Sequence, residues 1–174
     1  MSSKNKTMIS NTKLRIANAS LILLALFYLI MLGGGNYEHI NISGVISSAP
    51  PKSFYILQGP FGFNPVKFWA TFRPITILLF IIAIIFNWKH SAFRRNGLVI
   101  AFVIDILITV ATFSYFAPEI GAITSIPYVD SVDPSLAERT SRWTSLNLIR
   151  LGAFYIVSVM ILVVTNRPAA SARM

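Results

Sequence analysis

Four long apolar runs dominate this chain, and they set what it can fold into. In hydrocarbon every backbone N–H and C=O needs a partner from the protein, a demand the α-helix meets by itself. About 20 mainly apolar residues cross the bilayer core as a helix, and residues 16–32, 69–88, 98–116 and 146–164 form four such runs. Only 12% of the 174 residues are charged and 55% are hydrophobic, against roughly 25% charged in a soluble domain. The expected fold is therefore all-α: a single four-helix transmembrane bundle over residues 1–174. Without cysteine the chain has no disulfides and no thiol chemistry. The net charge of +9 raises nucleic acid as a partner, but the basic residues are scattered between apolar runs and form no cluster on a water-facing surface. The bilayer is the partner that this composition requires.

Lys4, Lys6, Lys13 and Arg15 precede the first run, as in a secretory leader. The run continues through bulky Tyr28, Leu29, Ile30, Met31 and Leu32, and Gly33-Gly34-Gly35 is a poor cleavage signal. The segment reads as a retained span that the glycines terminate. The third run is expected to stop before Pro118, since the residue ahead of a proline avoids the α region.

Orientation follows the Lys/Arg bias of short loops. The two termini and the 89–95 connection carry Lys4, Lys6, Lys13, Arg15, Lys89, Arg94, Arg95, Arg167 and Arg173 and no acidic residue. The opposite side, 36–68 and 117–142, mixes Lys52, Lys67, Arg139 and Arg142 with Glu38, Glu119, Asp130, Asp133 and Glu138. This predicts a multi-pass protein of the cytoplasmic (inner) membrane with both termini in the cytoplasm. The short 89–95 connection makes spans two and three antiparallel neighbours. The long outer segment 36–68 is rich in turn formers and aromatics, which favours an ordered extracytoplasmic cap. Within it, residues 41–46 have the composition of a short strand. Asp133-Pro134 has the form of a helix N-cap and first position, leading into span four.

Ionisable residues inside spans mark a functional site or a structural pair. There are three: Arg73, Asp105 and Arg150. Helical spacing puts Trp143, Asn147, Arg150 and Phe154 on one face of span four, and Asp105, Thr109, Thr112 and Phe116 on one face of span three. Trp69, Arg73, Thr76, Phe80, Ala83 and Asn87 form a similar stripe on span two. On one reading Arg73 and Arg150 pair with Glu38 and Glu119 at the outer rim and lock the bundle. On the other, Arg73, Arg150, Asn147, Tyr115, Trp69 and Trp143 line an outward-opening pocket for the polar or anionic head of a hydrophobic molecule, since the guanidinium fork suits an oxyanion. Counted from Leu98, Asp105 lies ~10 Å above the cytoplasmic edge, too far for a bond to Arg150. It is expected to stand alone or to bond a neighbouring Thr or Asn. Glu38-His39 is the acid/base candidate, a histidine beside a carboxylate at the mouth of the bundle.

The remaining inventory restricts the chemistry. His90 and His39 fall on opposite sides, so bis-histidine haem ligation is unavailable, and a zinc site would have only His39 with Glu38 and Glu119. The glycine triplet lacks the Lys-Ser/Thr of a phosphate loop. No cofactor or metal is expected; an enzyme built from this chain would work by acid/base chemistry.

Tyr37-Glu38-His39, Ala49-Pro50-Pro51-Lys52-Ser53, Phe68-Trp69 with Arg73-Pro74, and Trp143-x3-Asn147-x2-Arg150 together resemble a group of small four-span bacterial membrane proteins. The Trp143/Asn147/Arg150 element and the layout of spans are similar to the anthrone-oxygenase-like family. That resemblance implies cofactor-independent oxidation of an aromatic, quinone-forming molecule, with Trp143, Asn147 and Arg150 as the matching residues. The competing expectation is a non-enzymatic subunit or assembly factor that uses the aromatic outer loop to dock another membrane subunit.

Overall fold

A computed structural model describes residues 3–167, with side chains from residue 11 onward. Lys4, Lys6 and Arg173, which contribute to the expected orientation, lie outside the described side chains. Helix α1 covers residues 3–48, as an α-helix Ser3–Glu38, a π turn His39–Ser43 and a last α turn Gly44–Ser48. It is followed by α2 (Pro65–Asn87), α3 (Ala92–Thr124) and α4 (Pro134–Asn166), and all four are long and apolar enough to cross a membrane. Each helix packs against the next and α4 closes back on α1. The centre is filled by Leu21, Leu24, Tyr28, Phe80, Leu98 and Val157, while Ile22, Leu107 and Ile149 point outward and are exposed, as a lipid-facing surface requires.

The N-cap expected at Asp133 is present, and a second one, at Asn64, starts α2 four residues before the apolar run. Asn64 accepts from the Val66 N–H and Asp133 from those of Ser135 and Leu136, each followed by proline in the first turn.

Three expectations are overturned, each because a helix continues where the sequence suggested a stop. Gly33-Gly34-Gly35 lies inside α1. A glycine costs about 1 kcal/mol in a helix interior, less than leaving backbone groups unpaired in an apolar environment. A Cβ on Gly34 would collide with the Phe68 ring, and one on Gly35 would meet Leu151 Cδ1 at 3.1 Å. These glycines let α2 and α4 come close to α1.

Residues 41–46 are helical, and no strand is present among the described residues. Ile42 and Ile46 are four apart and bury on one face, in a second core with Phe54, Phe116, Ile123, Leu136 and Trp143. The chain also continues through Pro118, because a π turn over Thr112–Phe116 precedes it. The Ala117 N–H reaches back to the Thr112 carbonyl, so Pro118 falls in the first turn of a new α segment, where a missing N–H costs little.

The connections at the second core are tied to each other. The Asp133 N–H donates to the Pro50 carbonyl at 2.9 Å, and Gln58 Nε2 donates to the carbonyls of Thr124 and Ile126, both at 2.8 Å. Lys52 pairs with Asp130 at 2.6 Å. That contact holds the Asp130 carboxyl below the usual carboxylate range and raises the Lys52 ammonium.

At the other end Arg94 is a structural clamp and not a free loop cation. It is buried, its Nε and Nη2 donate to the Arg167 carbonyl at 3.0 and 2.6 Å, and its Nη1 donates to Asn18 Oδ1 at 2.8 Å and Asn87 Oδ1 at 3.2 Å. One side chain thereby joins α1, α2 and the C-terminal end of α4, where a cation is also favoured by the helix dipole.

Candidate functional site: a lateral cavity between two helices

The short turn between Asn87 and Ala92 holds α2 and α3 together at one end. Toward the other end α2 packs along the first part of α3 and hardly against its π turn and last segment. A cavity of about 630 Å³ opens there, lined by residues 65–81 of α2 and 109–120 of α3, and floored by Glu38, Trp143, Arg150 and Phe154. Pro74 cannot return a hydrogen bond to the Ala70 carbonyl, and both residues line the space. The rim residues Val66, Leu78 and Phe113 are exposed on the outer flanks of the helices, so the opening faces sideways. Ligand sites commonly measure ~300–1,000 Å³ and place a few polar groups on apolar walls, and this cavity fits that description.

Five of the residues expected to form a site come together here: Glu38, Trp69, Arg73, Trp143 and Arg150. Asn147 lies just behind them, lining a small adjoining gap. Tyr115 does not line the cavity; it is more than one-third exposed and meets Phe116 edge to face. Nor does His39, whose Nδ1 is buried without a hydrogen-bond partner. Of the Glu38-His39 pair, only Glu38 reaches the cavity.

The charges pair differently from either sequence expectation. Asp105 is not a lone carboxylate: Arg73 Nη1 donates to its Oδ1 at 2.8 Å, Arg73 Nη2 to its backbone carbonyl at 2.7 Å, and the Tyr28 hydroxyl to Oδ1 at 2.9 Å. Arg73 also bonds Thr109 Oγ1. Asp105 makes no bond to Arg150, as its spacing implies; its bond to Arg73 was not expected because α3 starts at Ala92, six residues before the apolar run, and α2 starts at Pro65, four before it. Asp105 is thus mid-helix, level with Arg73.

Glu119 pairs with Arg139, through Nε at 2.6 Å and Nη2 at 2.9 Å. Glu38 accepts from Trp69 Nε1 at 2.8 Å. Arg150 donates from Nη1 to Thr112 Oγ1 at 3.0 Å and lies 4.5 Å from the centre of the Phe116 ring. Among the described residues the ion pairs are Lys52–Asp130, Arg73–Asp105 and Arg139–Glu119. Arg150 therefore has no bonded counterion, whereas Arg73 does.

Sequence reading missed Tyr28 as a site residue. A tyrosine inside an apolar run signals that its hydroxyl has a buried partner, but the identity of that partner depends on how α1 and α3 sit against each other. Thr109 and Thr112 lie on the Asp105 stripe, and their role as acceptors for Arg73 and Arg150 also depends on helix pairing. Among the described residues no three His, Asp or Glu side chains gather into a metal-ligand set.

Chemically, the site combines a large apolar slot, one neutralised guanidinium in its wall, and a carboxylate and a second guanidinium on its floor. Such a slot can hold a flat hydrophobic molecule and place its polar end between a proton acceptor and a cation. Searches with the chain against profiles of known families, curated proteins and solved structures return no match.

Proposed function

We propose that this chain is a multi-pass protein of the cytoplasmic membrane that takes a hydrophobic, aromatic or quinone-like molecule from the bilayer and acts on it by acid/base chemistry. The observation that carries this reading is the side-opening cavity of about 630 Å³ with Glu38 and Arg150 on its floor. In this reading both termini are cytoplasmic, as the Lys/Arg bias supports, and the cavity opens toward the outer leaflet under the linked 49–64 and 125–133 segments, which form an extracytoplasmic cap. Glu38 accepts a proton from the bound molecule and Arg150 stabilises the oxyanion that forms. Positioned general bases contribute typically 10²–10⁴-fold.

The anthrone-oxygenase-like resemblance adds an oxidative outcome, with dioxygen as oxidant and no cofactor. It rests on Trp143, Asn147 and Arg150, of which Trp143 and Arg150 line the cavity and Asn147 the gap beside it. The test is to incubate protein in lipid nanodiscs with anthrone under air and follow quinone formation. Glu38→Gln is expected to lower the rate at least 100-fold while anthrone binding persists. An unchanged rate would refute the assignment of Glu38.

A second reading, a non-enzymatic subunit, draws on Phe61 and Tyr55, which are 98% and 68% exposed in the 49–64 segment. It predicts that native mass spectrometry of gently solubilised protein shows a partner chain and no small ligand.

A further inference from the structure

Behind the floor of the large cavity lies a small gap whose polar lining is Glu38, Asn147 and Arg150. The two spaces share Glu38, Trp69, Arg150 and Phe154, so they adjoin. The gap measures about 10 Å³, close to the minimum of ~10–15 Å³ that admits a single water-sized group. Its polar atoms have unused capacity. Asn147 is 5% exposed and its Oδ1 is buried without a hydrogen-bond partner. Among the described residues Glu38 accepts a single hydrogen bond, from Trp69, and Arg150 makes a single one, to Thr112. An unbonded acceptor in an apolar interior is costly, so an occupant that donates to it is favoured.

We infer that this gap is a hydroxyl subsite, which receives one uncharged phenolic or enolic O–H of the ligand and selects against carboxylate, sulfonate and phosphate head groups. The inference rests on the reading of the large cavity as the binding site and adds its selectivity. A hydroxyl both donates and accepts. It matches a floor that offers acceptors, Glu38 and Asn147, beside a donor, Arg150. An anionic head could accept from Arg150, but it would leave the Asn147 oxygen unsatisfied and bring a second negative charge against the Glu38 carboxylate in a low-dielectric space. A gap of about 10 Å³ is also smaller than a tetrahedral phosphate or sulfonate head needs.

Size-matched probes separate the possibilities: naphthalene, 1-naphthol and 1-naphthoate, titrated into the full chain in lipid nanodiscs and followed through quenching of Trp69 and Trp143. Partition into protein-free nanodiscs is subtracted. The expected order is 1-naphthol tighter than naphthalene by about 10-fold, with naphthoate weakest. In Asn147→Leu the advantage of naphthol over naphthalene falls to within about 2-fold while naphthalene binding is kept, and Glu38→Gln retains part of it. Equal binding of naphthol and naphthalene by the unaltered protein would overturn the hydroxyl subsite and leave the cavity reading standing. Naphthoate binding tightest would show an anion site instead and also overturn it. Binding of none of the three would refute the cavity reading and this inference together. The comparison among probes needs no variant, so a misfolded substitution cannot obscure it.

Discussion

The Arg73–Asp105 pair should respond more severely to loss of one partner than to loss of both. The Arg73 side chain is 11% exposed and that of Asp105 is 0%. Removing one member of a buried pair typically costs about 3–5 kcal/mol, because an uncompensated charge stays behind, whereas apolar replacement of both is often near neutral. Arg73→Met leaves Asp105 with Tyr28 alone and with its Oδ2 unbonded, so the upper part of that range applies. Asp105→Leu leaves Arg73 bonded to Thr109 and to the backbone carbonyl of residue 105, so about 3 kcal/mol is expected. The double variant should lose about 1 kcal/mol or less, giving a coupling of several kcal/mol where uncoupled sites add to within ~0.5 kcal/mol. Tyr28→Phe removes a single hydrogen bond to a carboxylate. Hydrogen bonds between membrane helices average about 0.6 kcal/mol with a maximum near 1.7, and an ionised acceptor roughly doubles the strength, so about 1–2 kcal/mol is expected. Reversible unfolding in mixed detergent–SDS micelles, followed by tryptophan fluorescence, measures all four variants. A double variant as unstable as the sum of the singles would refute the assignment of Asp105 as the counterion of Arg73.

Arg94→Leu should destabilise the terminal end of the bundle by about 2–4 kcal/mol, as the acceptors on Asn18, Asn87 and Arg167 lose their donor, and Arg94→Lys should recover little because one ammonium cannot reproduce the fork; a drop under 0.5 kcal/mol in the same unfolding assay would refute the clamp. Asp130 and Asp133 are held below the usual carboxylate range, Asp130 by Lys52 and Asp133 by the Ser135 hydroxyl and the N–H groups of Leu136 and Ser135. Their contribution is complete above the ordinary aspartate value of about 3.9 and is lost as pH falls through the lower folded values, while the raised Lys52 loses its share only above about pH 10.4. Thermal midpoints of the unaltered protein and of an Asp130→Asn/Asp133→Asn variant should therefore differ at pH 6 and converge toward pH 3, and a constant difference would contradict this. Gly34→Ala should push Phe68 away from α1 and cost about 1–3 kcal/mol by overpacking, whereas Gly33→Ala, with open space around its Cβ, should be neutral or stabilising; equal effects in the unfolding assay would remove the close-packing role of Gly34.

The spans, the Asp133 helix start and the inward faces of α2, α3 and α4 were legible because they depend on local information. Apolar length, an N-cap followed by proline, and residues three or four apart are all visible in one segment. Thr76, Phe80, Ala83 and Asn87 are buried as their spacing implies, and so are Trp143, Asn147 and Phe154. Helix ends were misread wherever a residue that breaks helices in water sits in an apolar setting: the glycine triplet, the Asn41–Ile46 stretch and Pro118. At the glycines satisfying the backbone outweighs a local penalty near 1 kcal/mol, at 41–46 the burial of Ile42 and Ile46 on one face decides, and at Pro118 the π turn removes the penalty. Pairing between helices was not legible. Arg73 and Arg150 look alike in sequence, each near the start of an apolar run, yet one has a carboxylate partner and the other does not, and only the relative heights of α2, α3 and α4 separate them. The same is true of Glu38 and His39: they are adjacent in sequence, and the direction of α1 at the rim of the bundle brings only the first to the cavity.

On the proposed function, that difference between the two arginines bears on how a ligand reaches the site. Close packing at Gly34 and Gly35 draws α2 and α4 onto α1 and closes that side of the bundle. The opposite side stays open because α2 and α3 are joined at the far end and part where Pro74 faces the π turn over Thr112–Phe116. Arg150 projects from α4 to the floor of this opening, behind apolar walls, while Arg73 in the wall is already neutralised by Asp105. On the proposed function, a molecule sliding in from the lipid passes a paired charge first, which offers a polar surface without net charge, and meets Arg150, which has Glu38 nearby but no bonded counterion, only at full depth. Ring systems too wide for the slot would stop before their hydroxyl reached Arg150 and Asn147, and a ligand inserted apolar end first would leave those groups unsatisfied. On that reading depth and charge together select both shape and orientation. Asp105→Asn should accordingly weaken that selection: it leaves Arg73 positive in the wall, and binding of 1-naphthoate should rise relative to 1-naphthol. If the naphthoate-to-naphthol ratio did not change in that variant, neutralisation of Arg73 would have no part in ligand choice.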